Sequence, residues 1–172
     1  MRPRVLIAGV GNIFLGDDGF GVEVASQLAR EPLPEWVKAA DFGIRGIHLA
    51  YELLEGYETL ILVDALPRGE EPGTVSLVER LSDQATGVQP DAHSMDPRTV
   101  FAYLESMEGP VPRTLIVGCE PLRTDEEIGL SEPVQRAVPE AVRLIHDLLA
   151  DEATARPRGT VPVPVAISEG GT

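Results

Sequence analysis

Short unbroken apolar runs alternate along this chain with stretches where apolar residues recur every third or fourth position. Runs of the first kind predict strands buried on both faces, and the second kind predicts helices with one apolar side. Strands are predicted at 5–9, 37–42, 59–63, 74–78 and 114–118. The first helix carries Val22, Ala25 and Ala29 on one face, flanked by Val24 and Leu28, and ends near Arg30. A second places Leu49, Ala50, Leu53 and Leu54 together and stops at Gly56. The third starts at Asp96 with Pro97 behind it and shows Val100, Phe101, Leu104 and Met107. The last is capped by Ser131 and carries Val134, Val138, Ala141, Ile145 and Leu148, with Pro139 expected to kink or divide it. The link from 63 to 74 is too short for a crossover helix, so the fourth strand should run antiparallel to its predecessor. The pattern predicts a three-layer α/β/α sandwich around an about five-stranded, mostly parallel sheet with one antiparallel strand. One domain covers 1–152; from 153 to 172 the pattern dissolves into Pro, Gly, Thr and Val and reads as a flexible tail.

Composition narrows the function. At 172 residues and 43% hydrophobic content the chain has enough apolar material for one core, filled with aliphatic rather than aromatic side chains. A formal net charge of −14 argues against a nucleic-acid partner, because phosphate binding needs clustered Lys and Arg. Cys119 is the single cysteine, which rules out an intramolecular disulfide and fits a reducing compartment. No apolar run approaches the roughly 20 residues of a membrane span, and the run after the basic N-terminus is too short for a signal-peptide core. A cytoplasmic location is expected, and a monomer, since nothing marks an oligomer face.

The densest local signal follows the first strand. Five glycines fall between Gly9 and Gly21, and the adjacent carboxylates Asp17 and Asp18 sit among them. So many positions without a Cβ mean tight turns or close backbone approach. A dinucleotide fingerprint fails here, because Phe14 stands where a third glycine is needed and two negative charges would repel a phosphate. The acids make more sense as ligands for a cation or as acid/base groups. Asp17 reads as a turn acid favoured by the helix dipole.

Asp64 falls directly after the third strand and His93 in a loop ahead of a helix. Asp18, Asp64 and His93 could meet at the carboxyl edge of the sheet, where two carboxylates and an imidazole would suit nickel or zinc. The same residues also have a plain structural reading: an Asp after a strand is often a turn former, and a single His before a helix is often ordinary surface. Asp41 either lines that cleft or only fixes its turn. His48 and His146 fall on helices with no assigned role, Cys119 reads as a buried inert thiol, and Glu120 with Pro121 as structural. No G-x-S-x-G, H-E-x-x-H or D-T-G motif is present.

The stretch Gly9-Val10-Gly11-Asn12-Ile13-Phe14-Leu15-Gly16-Asp17-Asp18-Gly19-Phe20-Gly21 resembles the N-terminal signature of the hydrogenase maturation proteases. The resemblance continues through Val63-Asp64-Ala65, His93, Gly118-Cys119-Glu120-Pro121 and Gly129-Leu130-Ser131, covering roughly positions 4 to 150. It implies removal of a C-terminal peptide from the large-subunit precursor of nickel–iron hydrogenase after nickel insertion. Asp18, Asp64 and His93 then match the metal-contacting and catalytic positions. Asp41 and Gly43 match a substrate-binding loop in which Phe42 replaces a glycine. Nickel would arrive with the substrate, and other divalent ions could occupy the same ligands. A nickel-binding chaperone without catalysis is the alternative.

Overall fold

The structure, a computed structural model, describes residues 4–80 and 97–155. In chain order the elements are β1 (Val5–Val10), a 3-10 turn (Gly16–Gly19), α1 (Phe20–Ala29), β2 (Val37–Gly43), α2 (Gly46–Leu53), β3 (Thr59–Ala65), β4 (Val75–Arg80), α3 (Pro97–Ser106), β5 (Arg113–Cys119) and α4 (Glu132–Ala155). The strands form one sheet in the order β2-β1-β3-β5-β4, parallel except for β4. Side-chain alternation along the strands divides the apolar residues between two cores. Val5 and Ile7 of β1 join Ile61, Val63, Phe20, Val24, Leu28 and α4 on one face. Leu6, Ala8 and Val10 join Leu60, Leu62, α2 and α3 on the other. This is the expected three-layer α/β/α sandwich.

Three expectations need correction, on α1, α2 and α4, while that for the fourth strand holds. It runs opposite to β3, and β5 inserts between them, so β4 is an edge strand paired with β5. Connection length constrains direction and says nothing of adjacency, which is settled by which edge remains open.

The apolar face of α1 is centred on Phe20, Gly21, Val24, Ala25 and Leu28, while Ala29 is exposed. The apolar periodicity points to a different face because the helix approaches the sheet through Gly21, which an apolar pattern does not register. In α2, Leu54 is 38% exposed rather than packed with Leu49, Ala50 and Leu53.

Pro139 neither ends nor divides α4, which continues unbroken to Ala155 and so includes the first residues assigned to a tail. Pro139 lies on the solvent side of the helix. The carbonyl it leaves without a partner one turn earlier can bond water there, while Val138, Ala141, Val142 and Ile145 stay packed in the core.

Among the described residues no helix is long and apolar enough to cross a membrane. The expected cap at Asp96, and residues 156–172, lie outside the described residues.

Candidate functional site

The strand order sets where a site can form. From β1 the chain passes through α1 to β2 on one side, then returns through α2 to β3 on the other. The carboxyl ends of β1 and β3 therefore flank a switch point, where the connections diverge and leave a crevice. Asp18 follows β1 in the 3-10 turn, and Asp64 is the penultimate residue of β3. Opposite Asp64 on β5 stands Gly118, which presents no side chain beside it.

Glycine makes the approach of these segments possible. A Cβ on Gly21 would lie 2.0 Å from the Val63 carbonyl oxygen and 2.5 Å from that of Val10, so the start of α1 sits directly on the ends of both strands. Gly11 has φ +129°, and a Cβ there would meet the Asp18 carbonyl oxygen at 1.8 Å. The backbone thus folds over the residue it presents.

The Asp18 carboxylate accepts the Asn12 N–H at 2.7 Å, and the Asn12 side chain accepts the Phe14 N–H at 3.0 Å. Asp64 is half-buried. Burial, and then the negative charge of Asp18, push its carboxyl well above the usual carboxylate range, against one backbone N–H at Ala65 that favours the ionised form. An acid whose ionised form is disfavoured by burial and by a neighbouring carboxylate would be stabilised in that form by a divalent cation.

Asp17 turns the other way. Successive residues of a 3-10 helix point about 120° apart, so neighbouring carboxylates serve different sides. Asp17 is fully buried and accepts four hydrogen bonds: from the N–H groups of Leu122 (2.8 Å), Arg123 (3.0 Å) and Ser131 (2.6 Å), and from the Ser131 hydroxyl (2.8 Å). Burial alone would raise its carboxyl, but these donors hold it below the ordinary range. The Ser131 hydroxyl expected to cap α4 is donated to Asp17 instead. Neither the role of Asp17 nor that of Asn12 was read from the sequence. The available signals were the acid doublet itself, since both members cannot face one cleft, and the turn-forming tendency of Asn after Gly.

Asp41 and Gly43 reach the same edge of the sheet on β2, beside β1. Gly11 donates its N–H to the Gly43 carbonyl at 3.0 Å, and Gly43 has φ +53°. The Asp41 carboxylate is exposed and faces the Arg45 guanidinium at 3.6 Å, while Arg45 also bonds the carbonyls of Phe42 and Asp41. His93 lies outside the described residues, four positions ahead of α3. Among the described residues no group of three His, Cys, Asp or Glu side chains is gathered for a metal.

The remaining candidates have structural surroundings. Cys119 is buried, and desolvation, followed by the nearby charges of Asp17, Glu140 and Glu120, pushes its thiol up to about 12. Glu120 accepts the Arg68 N–H at 2.6 Å and ties the loop after β3 to the one after β5. His146 meets Glu31 at 2.7 Å on the surface, and His48 is exposed on α2.

A family model described as "Hydrogenase maturation protease" matches residues 22–148. The hydrogenase expression/formation protein HupD of Rhizobium leguminosarum is 31% identical across 95% of this chain and 84% of its own length. Among solved structures, the hydrogenase-maturating endopeptidase HybD of E. coli superposes with a TM-score of 0.76 at 26% identity, covering 87% of this chain and 93% of that one. The [NiFe] hydrogenase maturation protease HycI of Thermococcus kodakarensis gives a TM-score of 0.71 at 25% identity, covering 86% and 92%.

Proposed function

The chain belongs to the hydrogenase maturation protease family, and from that premise we propose that it is an endopeptidase acting on the large-subunit precursor of nickel–iron hydrogenase. In this reading it removes a C-terminal peptide once nickel has been inserted, and recognises the nickel through Asp18, Asp64 and His93. The observation that carries the reading is the placement of Asp18 just after β1 and Asp64 at the end of β3, on either side of the switch point, with the charge of Asp18 adding to burial in raising the Asp64 carboxyl. Such a pair favours a cation, and the metal held by the substrate would supply it. A precursor without metal would bring no positive charge to these carboxylates, so binding would report metal loading.

Two routes to hydrolysis are open to these residues. The substrate's nickel, held against the carboxylates, would position the scissile segment and polarise its carbonyl or acidify a bound water. Alternatively one aspartate takes a proton from the attacking water while the metal serves recognition alone. Asp41 and Gly43, beside β1 at the same edge, would contact the incoming chain. The protein acts as a monomer in this scheme.

The test uses Asp18→Asn and Asp64→Asn with nickel-loaded precursor, read by the mass of the large subunit. Both variants should leave the precursor uncut while unfolding like the wild-type protein. Normal processing by either variant would remove that residue from the mechanism. Binding without any change of mass, in the wild-type protein as well, would indicate a nickel chaperone.

A further inference from the structure

Large apolar side chains stand in solvent on the loop that carries Asp18 and on the loop that follows β5. Phe14 is 60% exposed, Leu122 55% and Ile128 76%. Single exposed apolar residues need no explanation, but backbone contacts tie together the segments that carry these three. The Phe14 carbonyl accepts the N–H of Glu127, next to Ile128, at 3.0 Å, and Leu15 bridges Glu127 in parallel register. The Leu122 N–H is held by the carboxylate of Asp17, next to Asp18.

The loop that carries two of them is pinned rather than loose. Besides the four bonds to the Asp17 carboxylate, Asp17 donates its N–H to the Arg123 carbonyl at 2.9 Å and Gly16 donates to Glu127 at 2.7 Å. Fixing a loop costs conformational entropy, and fixing apolar groups in water gains nothing for a free protein. For a surface that binds, the ordering is complete before association, which strengthens the contact. The surrounding charge narrows the partner. Asp125 and Glu126 are exposed beside the patch, whereas Arg123 is turned onto Glu127 at 3.2 Å.

Building on the protease reading above, we propose that Phe14, Leu122 and Ile128 form a preassembled wall that receives an apolar stretch of the precursor bordered by Lys or Arg, alongside the carboxylate pair. Asp17 is the positioning residue that holds this wall in place.

The experiment compares the wild-type protein, the triple variant Phe14→Ser/Leu122→Ser/Ile128→Ser, the single variant Ile128→Asp and the pair Asp125→Lys/Glu126→Lys. Affinity for nickel-loaded precursor is measured by biolayer interferometry, with KM and kcat from cleavage followed by mass. The triple variant should bind about 10-fold more weakly or worse and raise KM by a similar factor with kcat little changed. Ile128→Asp should shift both in the same direction, and the lysine pair should weaken binding most at low salt. All these side chains are exposed, so unfolding midpoints should match the wild-type protein. Wild-type affinity in the triple variant overturns the inference, whether or not the precursor is cut. If the wild-type protein binds without cutting, the protease reading falls, and the wall stands only if the triple variant loses binding. A wild-type protein that does not bind the precursor overturns both.

Discussion

The Asp17 carboxylate receives both the N–H and the hydroxyl of Ser131, a residue 114 positions away, at 2.6 and 2.8 Å. This contact joins the loop after β1 to the start of α4, and it decides which of the two neighbouring acids faces the crevice. With Asp17 committed to the interior, Asp18 is left at the edge of the sheet beside Asp64. Removing the carboxylate by Asp17→Ala leaves the buried N–H and hydroxyl of Ser131 and two part-buried N–H groups without their acceptor, and should cost about 2–4 kcal/mol of stability, measured by urea unfolding. A variant that unfolds at the wild-type midpoint would show that the contact carries no stability.

The same carboxylate gives a pH dependence with a fixed sign. Its folded-state pKa is lowered, so its contribution is fully present above the pKa of an unfolded aspartate and is lost as pH falls through the folded value. The stability difference between wild-type and Asp17→Asn proteins should therefore be largest at neutral pH and shrink in acid. A difference that stays constant between pH 7 and pH 3 would contradict this.

Gly21→Ala tests the close approach of α1 to the sheet. The added methyl group would lie 2.0 Å from the Val63 carbonyl oxygen, against backbone that cannot turn aside. A loss of about 1–3 kcal/mol is expected, together with impaired cleavage, because α1 and the ends of β1 and β3 must separate. Wild-type stability in this variant would mean that the approach is not tight.

Cys119 should be inert. With its thiol pushed up to about 12, almost no thiolate is present at pH 8, and burial blocks access as well. Iodoacetamide should leave the folded protein unmodified and label it readily in denaturant, and Cys119→Ala should retain cleavage. Rapid labelling of the native protein, or an inactive but folded Cys119→Ala, would point to a nucleophile.

Asp41→Ala should separate binding from stability. The ion pair with Arg45 is exposed on both sides and is worth about 0–1 kcal/mol, so the unfolding midpoint should barely move. If the β2 edge contacts substrate, KM rises more than kcat falls. Unchanged kinetics would assign Asp41 to its turn alone.

Much of this architecture was readable because apolar period and strand-end chemistry are local. The short apolar runs at 59–63 and 114–118 read as buried strands, and acids at strand ends mark the edge where an α/β crevice opens. What escaped was long-range. That β5 would separate β3 from β4 depends on pairing between distant segments. The partners of Asp17 lie more than a hundred positions away, so a turn acid was the natural local reading. The apolar pattern of α1 does not give its phase, because Gly21, packed against the ends of β1 and β3, has no side chain to register. Pro139 misled for a related reason: proline breaks a helix whose lost hydrogen bond is buried, and here that bond would have faced water.

The recognition of metal loading is tested most directly by mixing the wild-type protein with nickel-loaded and nickel-free large-subunit precursor and weighing each by intact mass spectrometry. Only the loaded precursor should lose mass, by one C-terminal peptide. Equal cleavage of both forms, or of neither, would contradict a site in which Asp18 and Asp64 read the substrate's metal.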